Sequence, residues 1–420
     1  MWTRRAFMKG SGLALFSFSF GGVPLFLSRA ADAAYNPGAF QRRKVLVTIF
    51  QRGAMDGLMA VTPFADPMLP GLRPNLFMAP DKSAKSASPV DLDGRFGFHP
   101  ALAPLSPLFK EGRLSIVHGV GSPNATRSHF DAQDYMETGT PGVKRTHSGW
   151  LNRAVGLLGH EGTPFRAVAM TTALPRSLHG GAPALAIDNL EDFGIRVPGN
   201  RQMSRKAKLG FETLYAKNTG ALLRRVSREG FEAIDMISKI DVANDKPADG
   251  ANYPDSPLGN RLRQIALLIK YDVGLEVAFT ESGGWDTHVR QGTANGSFAR
   301  RAQDLARSVA AFWTDLGSCQ DDVVLMTMTE FGRTVHQNGS GGTDHGRGSC
   351  LFVLGNHVNG GKVHGTVPTL APEALEDGRD LPVTTDFRAV FAEVAGKHLR
   401  IDDDQALFPG WTGERLPLIG

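Results

Sequence analysis

Short runs of apolar, largely β-branched residues recur along the chain, and longer segments with helical spacing separate them. The first run is Lys44–Phe50, and further candidate strands cover residues 113–118, 165–170, 275–279, 323–328 and 351–354. Helical patterns fall between them, at 101–109, 259–273, 298–316 and 387–399. Continuous apolar strands that alternate with helices favour a mainly parallel sheet with helices on both faces. The pattern therefore predicts an α/β fold in three layers.

The first 33 residues have the charged, apolar and small-residue order of an export signal. Arg4 and Arg5 precede the apolar run Leu13–Leu27, and small residues around Ala33 offer a cleavage site. Paired arginines indicate the twin-arginine type, so we expect the twin-arginine translocase as partner and a periplasmic or otherwise exported protein. The run is shorter than the ~20 residues of a membrane helix, and no later segment is long enough. We therefore expect no stable transmembrane segment after cleavage.

The charge balance changes once this leader is set aside. The whole chain has 46 basic and 42 acidic residues, but residues 1–33 contain four of the basic and one of the acidic residues. The remaining 42 basic and 41 acidic residues are nearly balanced, which argues against nucleic acid as a partner. The only two cysteines, Cys319 and Cys350, can form at most one disulfide and make a thiolate zinc site improbable.

The rest of the chain is interpreted as one domain with an insertion. Residues 1–33 form the signal peptide and residues 34–420 a single α/β domain. Residues 202–245, rich in Lys, Arg and Leu, resemble an inserted helical stretch, and Pro247 to Pro257 resemble the loop after it. The predicted helical insertion thus covers about 202–257, and no internal repeat is present.

Polar residues next to glycines follow the predicted strands. In sheets of this kind, functional groups gather at the carboxyl ends of the strands. Four polar segments follow strands and a fifth precedes one: residues 51–57, 121–131, 281–288 and 329–334, and residues 341–348. Their shared placement predicts a functional site at one edge of the sheet.

Asp286-Thr-His288 is the clearest local motif among these segments. Carboxylate oxygen and neutral imidazole nitrogen are good ligands for divalent metals, and Gly283-Gly284 lets the backbone bend. The alternative is a turn with an exposed histidine. His345, between glycines and after Asp344, could complete a metal shell or act as an acid–base group, with a plain loop as the alternative.

Two further acids are candidate metal ligands. Glu330 follows a predicted strand and could bind a metal or act as a general base, or it could be a helix-start acid paired with Arg333. Asp56 follows the first strand, where its alternative is an Asp-Gly turn.

The segment Thr126-Arg-Ser-His129 offers nucleophiles. Ser128 is placed to cap a helix over Phe130–Thr138, and its hydroxyl would need a base or a metal to attack. Thr126 is the competing nucleophile, and His129 could be a ligand. No Gly-x-Ser-x-Gly elbow surrounds Ser128, which argues against an ordinary serine hydrolase. Arg52, Arg127 and Arg333 could hold an oxyanion in bidentate fashion, or each could be an ordinary surface or salt-bridge arginine.

Taken together, the leader and five motifs resemble the domain-of-unknown-function 1501 family. The motifs are Arg52-Gly-Ala-Met-Asp-Gly57, Thr126-Arg-Ser-His-Phe-Asp131, Gly284-Trp-Asp-Thr-His288, Thr329-Glu-Phe-Gly-Arg-Thr334 and Thr343-Asp-His-Gly346. That family is grouped with the alkaline phosphatase-like superfamily, which includes phosphatases and sulfatases. The resemblance implies a three-layer α/β/α sandwich with a divalent metal (zinc, manganese or calcium) at the strand ends.

The resemblance also implies roles for single residues. Asp56 takes the place of the acid after the first strand, Ser128 or Thr126 that of the nucleophile, Asp286 and His288 that of a ligand pair, and His345 that of the last histidine. Glu330 stands where an Asp-His pair is usual, and Phe331 replaces one histidine of that pattern. The implied activity is metal-dependent hydrolysis of phosphate or sulfate esters. The alternative is a catalytically silent binding protein of the cell envelope.

Overall fold

The structure is a computed structural model that describes residues 16–17, 43–81, 88–193, 232–234, 236–237, 242 and 244–420. The strands are β1 Phe16–Ser17, β2 Val45–Gln51, β3 Val61–Thr62, β4 Val90–Asp91, β5 Gly97–Phe98, β6 Leu114–Gly121, β7 Ala167–Ala169, β8 Ala184–Ala186, β9 Val277–Ser282, β10 Val323–Met328, β11 Ser349–Leu354, β12 Lys362–His364 and β13 Thr385–Asp386.

Helices connect these strands. The α-helices are α1 Gly57–Ala60, α2 Leu69–Leu72, α3 Ser106–Lys110, α4 His129–Thr138, α5 Trp150–Leu157, α6 Pro257–Lys270, α7 Ser297–Leu316, α8 Phe387–Leu399 and α9 Asp404–Leu407. Short 3-10 helices cover Pro100–Leu105, Arg176–Leu178, Leu190–Asp192, Gly317–Asp322 and Pro372–Ala374.

One large sheet forms the middle of the molecule. Its strands follow the order β1-β8-β7-β9-β2-β10-β11-β6-β12, and β13 also pairs with β6. The five strands from β8 to β10 pair in parallel, and β12 and β13 are parallel to β6. Only β11, between β10 and β6, and the short edge strand β1 run antiparallel to their neighbours. The prediction of a mainly parallel sheet is confirmed.

Both faces of this sheet are buried, which makes the fold a three-layer sandwich. In β2, Val47 and Ile49 belong to one apolar core, and Leu46 and Phe50 to the other. Successive strand residues point to opposite faces, so each layer receives alternate side chains. Helices α6 and α7 pack on the first core, and α5 and α8 on the second.

The helices follow from apolar spacing and from caps. In α7 the buried residues Phe298, Ala302, Leu305, Val309 and Phe312 recur every three or four positions and so face the sheet together. Helix α6 begins with Pro257, after Ser256 accepts a hydrogen bond from the Gly259 N–H. In the same way Asp386 caps α8 through the Arg388 N–H.

The structure differs from the sequence predictions mainly at element boundaries. The predicted helix 101–109 is a 3-10 helix over Pro100–Leu105 followed by α3, because Pro104 and Pro107 lack the N–H that a continuous helix needs. Strand β9 begins later and ends later than predicted, so it includes Glu281 and Ser282. Most of the predicted insertion and signal peptide lies outside the described residues.

The antiparallel direction of β11 matters for the site. Parallel strands bring the segments after β2, β9 and β10 to one edge of the sheet. Because β11 runs the other way, the loop before it, residues 341–348, reaches that same edge. Cys319 and Cys350 are buried and form no disulfide. Within the described part of the chain, no helix combines the length and the apolar character needed to cross a bilayer.

Candidate metal centre

Three histidines, one at the start of α4 and two in loops, converge at this edge of the sheet. The His345 Nε2 lies 3.0 Å from the His129 Nε2 and 2.9 Å from the His288 Nε2. Asp286 completes the group, because its Oδ1 lies 3.0 Å from the His288 Nε2 and 3.3 Å from the His345 Nε2. Its Oδ2 lies 3.5 Å from the His129 Nε2.

The other nitrogen of each ring is held by an oxygen. The Nδ1 of His129 lies 2.8 Å from Glu330 Oε1, and the Nδ1 of His288 lies 3.0 Å from Asp344 Oδ1. The Nδ1 of His345 lies 2.9 Å from the backbone oxygen of Arg127. Carboxylate and carbonyl oxygens only accept hydrogen bonds, so each Nδ1 donates its proton. Each neutral ring is then left with a lone pair on Nε2, and that of His288 also faces the Arg333 Nη1 at 3.4 Å.

This donor set fits a divalent metal ion. Neutral Nε2 atoms at about 3 Å from each other have no proton to share, so their close approach is unfavourable unless a cation or a proton lies between them. Three of these donors, from His129, Asp286 and His345, lie within 4.8 Å of one another, and His288 lies beside them. Ligands of a tetrahedral zinc ion at about 2.0–2.1 Å are about 3.3 Å apart, and the distances of 3.0, 3.3 and 3.5 Å among these three residues are of that size. Outer carboxylates that hold ligand imidazoles are typical of such sites.

Glu330 lies one layer behind the cluster. Its side chain is fully buried, and Oε1 accepts hydrogen bonds from the Gly53 N–H, the Gln133 Nε2 and the His129 Nδ1, each at 2.8 Å. Its Oε2 accepts from the Thr329 hydroxyl at 3.2 Å. The structure thus brings Glu330 to the predicted neighbourhood but presents it to His129, and not to the point where the Nε2 atoms meet.

The charges of the cluster depend on one another. The hydrogen bond to Glu330 raises the pKa of His129. Partial burial lowers the pKa of His345, as do the charges of His129 and Arg333. For Asp286, partial burial acts to raise the pKa, but the Arg333 charge and hydrogen bond outweigh it and lower the pKa. Asp286 is therefore an anion at neutral pH, as a metal ligand must be.

Asp56, a predicted ligand, has a different environment. It is 1% exposed, and its Oδ2 accepts from the Arg73 guanidinium at 2.8 Å and from the Gln291 amide at 2.7 Å. Its Oδ1 caps α1 through the Met59 N–H. Both oxygens are occupied by protein donors, so the structure gives Asp56 a structural role and does not direct it at the cluster.

The two predicted nucleophiles lie at the start of α4. Ser128 is the N-cap residue, as predicted, but its side chain accepts no hydrogen bond from the first turn. The Thr126 hydroxyl instead accepts the Ser128 N–H at 3.2 Å. Ser128 is exposed and directly precedes His129, whereas Thr126 is half-buried. The hydroxyl of Ser128 is thus the more accessible of the two.

The three arginines that could hold an oxyanion, Arg52, Arg127 and Arg333, are all engaged in ion pairs, which was the alternative for each. The Arg127 guanidinium makes a short double contact with Asp380, which is fully buried. Arg52 pairs with Glu137 at 3.0 Å and with Glu281 at 2.6 Å. The predicted oxyanion grip is therefore not present in the structure, because carboxylates already occupy these guanidinium groups.

Sequence reasoning gave His129 only a minor place, missed Gln133, and considered Arg333 only as a holder of an oxyanion or as the partner of Glu330. Gln133, one helical turn after His129, donates to Glu330 and accepts from Arg52. Arg333, fully buried, donates to Asp286 at 2.6 Å. The i,i+4 spacing of His129 and Gln133 in a helix that begins at the sheet edge was the available signal.

The match to a family model assigns the chain. The model described as "Protein of unknown function (DUF1501)" matches residues 115–408. This is more than half of the chain and includes the four residues of the metal cluster. The molecule is thus an α/β sandwich with a histidine-rich cluster at its strand ends. The protein belongs to the DUF1501 family. A search of curated proteins found no match.

Several solved structures are similar in fold. The C-terminal periplasmic domain of EcEptC from Escherichia coli, in complex with Zn, has 10% identity and a TM-score of 0.37 over 76% of this chain and 74% of that chain. The PsFucS1 sulfatase from Pseudoalteromonas sp. has 12% identity and a TM-score of 0.38 over 91% of this chain and 73% of that chain. The lipoteichoic acid synthase LtaP from Listeria monocytogenes has 10% identity and a TM-score of 0.29 over 74% and 65%.

Proposed function

We propose that the protein is an exported, metal-dependent hydrolase of phosphate or sulfate esters. The observation that carries the proposal is the convergence of three Nε2 atoms and one carboxylate, with every Nδ1 held by an oxygen. His129, Asp286 and His345 would hold one divalent ion, and His288 would join them after a small shift of its ring. When bound, such an ion polarises an ester oxygen and stabilises the charge that develops on it.

The residues beside the cluster supply the remaining chemistry. The Ser128 hydroxyl attacks the phosphorus or sulfur atom and loses its proton, and the departing alcohol oxygen takes up a proton as its bond breaks. Water then cleaves the seryl ester, which releases phosphate or sulfate and restores the hydroxyl. The first turn of α4 presents N–H groups and a positive helix end, which favour an ester anion at this position. Glu330 and Asp344 keep the imidazoles in the tautomer that leaves Nε2 without a proton.

The test is hydrolysis by purified, metal-loaded protein. A panel of aryl phosphates, phosphodiesters and aryl sulfates is assayed with the wild type and with the variants His345→Ala and Ser128→Ala. We expect turnover of at least one ester class that His345→Ala abolishes and Ser128→Ala strongly reduces. Turnover by none of the panel, from protein with bound metal and an intact fold, would contradict the enzymatic function for these substrates.

A second candidate function is a catalytically silent binding protein of the envelope. The ion pairs of Arg52 and Arg127 favour this candidate, because both guanidinium groups are already bound to carboxylates and do not face a substrate anion. This candidate predicts stoichiometric metal, binding of phosphate or sulfate esters measured by calorimetry, and no turnover.

A further inference from the structure

We propose that Arg333 is the permanent second cation of this centre, so that the site takes one divalent metal ion and not two. The inference rests on the metal site proposed above and concerns its capacity. It starts from a feature unusual among metal ligands: Asp286, the one carboxylate in the cluster, contacts a guanidinium with a completely buried side chain.

The donors of Arg333 are fully used. A guanidinium side chain has five N–H donors. They meet the backbone oxygens of Ala54 at 2.9 Å, Trp285 at 3.2 Å and Thr343 at 3.3 Å, the Asp286 Oδ1 at 2.6 Å and the His288 Nε2 at 3.4 Å. Three backbone carbonyls therefore hold the group in place, and it cannot swing away to admit a second ion.

Arg333 occupies the space beside Asp286 that a second metal ion would need. Two-metal sites place their ions about 3.5–4 Å apart, close enough to share a carboxylate. On the Oδ1 side of Asp286 that space is taken by the guanidinium at 2.6 Å. The same Oδ1 lies 3.0 Å from the His288 Nε2 and 3.3 Å from the His345 Nε2, so the guanidinium also borders the imidazoles, and Oδ2 lies 3.5 Å from the His129 Nε2.

The neighbouring carboxylates do not offer a second ligand set. Glu330 has four donors on its two oxygens, and both oxygens of Asp56 are occupied. Asp344 accepts from His288 and from the Asn338 amide on one oxygen. These acids are positioned to support the imidazoles of one ion, or the backbone around them.

The charges also balance for one ion. Three carboxylates touch the ligand set or belong to it, namely Asp286, Glu330 and Asp344, and Arg333 contributes one positive charge. The net charge of two negatives is neutralised by one divalent cation. A second such cation would leave an excess of two positive charges beside the buried side chains of Glu330 and Arg333, where uncompensated charge is costly.

The capacity is tested by counting ions. The wild type is loaded with excess zinc, separated from unbound ions by gel filtration, and analysed by elemental mass spectrometry, with Asp286→Ala as the control. We expect one zinc per chain, lost in the control. Two zinc ions per chain that are lost in the control would overturn the inference alone. No zinc would overturn both the proposed metal site and this inference.

The charge of Arg333 is tested by affinity. Arg333→Gln keeps donors but removes the charge, and Arg333→Lys keeps the charge. Because a nearby positive charge opposes a cation, we expect Arg333→Gln to bind zinc at least about tenfold more tightly than Arg333→Lys and the wild type. Weaker binding by Arg333→Gln would mean that Arg333 merely orients Asp286, and would overturn the inference.

A matched control separates charge from burial. Arg73 is also a buried arginine that pairs with a carboxylate, Asp56, and it lies outside the cluster. Arg73→Gln is expected to lower thermal stability and to leave zinc affinity unchanged. A rise in zinc affinity in Arg73→Gln equal to that in Arg333→Gln would attribute the effect to loosened packing and overturn the inference. If Arg333→Gln does not fold, the zinc count of the wild type still decides.

Discussion

The sequence predicts which side chains of the site have the chemistry of metal ligands, but not how each one is surrounded. The motif Asp286-Thr-His288 and the position of His345 indicated metal ligands, and the structure brings these three together. Asp56 has the same residue type and the same relation to a strand, yet Arg73 and Gln291 occupy it. Sequence shows which side chain is present but not which donors surround it, and the donors decide whether a carboxylate is available to a metal.

Glu330 provides a test at the residue scale. Glu330→Gln keeps the shape but replaces one oxygen with an amide, which weakens the hold on the His129 Nδ1. We expect the affinity for zinc to fall by about 10–100-fold, as for other residues that orient metal ligands, with little change in fold. Competition with a chelating dye measures it. The control is Glu281→Gln, which removes the half-buried carboxylate that pairs with Arg52. Equal losses of zinc affinity in both variants would contradict this role of Glu330.

At the scale of elements, the direction of β11 explains why the sequence pattern succeeded only in part. Polar segments after parallel strands were expected at one edge, and the segments after β2, β9 and β10 are there. The loop before β11 joins them because this strand is antiparallel. Apolar runs alone do not reveal strand direction, so the contact between His345 and His129 could not be derived from the pattern.

The two loops that carry Glu330 and His345 touch through their backbones. The Gly332 N–H donates to the Arg347 oxygen and the Gly346 N–H to the Gly332 oxygen, each at 2.8 Å. A Cβ at Gly332 would lie 1.9 Å from the Gly348 oxygen. Only a residue without a side chain permits this approach.

Gly332→Ala is therefore expected to push the loops apart. We predict a loss of about 1–3 kcal/mol in the free energy of unfolding, typical of overpacking, together with reduced metal binding. Denaturant titration and elemental analysis measure both. Gly339→Ala is the matched control, because a Cβ there would meet nothing within 4 Å. Wild-type stability and metal content in Gly332→Ala would show that the loops can separate without consequence.

At the scale of the whole molecule, the sandwich and most element positions followed from periodicity, because apolar spacing reports burial directly. Burial also makes the fold sensitive to acid. His118 and His398 are buried, and desolvation lowers the pKa of each to about 4. The His118 Nδ1 accepts the Gly119 N–H and its Nε2 donates to the Val61 oxygen, so the neutral ring alone satisfies both partners.

Stability should therefore fall as the solution becomes acidic. A histidine with a folded-state pKa of about 4 and an unfolded value near 6.5 stabilises the fold fully above pH 6.5, and loses about 3 kcal/mol as the pH falls to 4. In His118→Asn, which cannot titrate, we expect a shallower fall in unfolding free energy between these values, measured by denaturant titration with chelator present. A fall in unfolding free energy as steep as that of the wild type would contradict this role of His118.

Export is a prediction about the whole chain. The leader lies almost entirely outside the described residues, and the expectation comes from Arg4 and Arg5. Replacing both arginines with lysine should keep the precursor inside the cell, while the mature part keeps its fold. Cell fractionation measures this. Equal export of the variant would contradict the twin-arginine route.

The most direct test of the metal centre is anomalous X-ray diffraction from crystals of the zinc-loaded protein, recorded on both sides of the zinc absorption edge. We predict one anomalous peak, within coordination distance of the Nε2 atoms of His129, His288 and His345 and of the Asp286 carboxylate. Loaded crystals that show no peak there, or a peak bound elsewhere, would contradict the account.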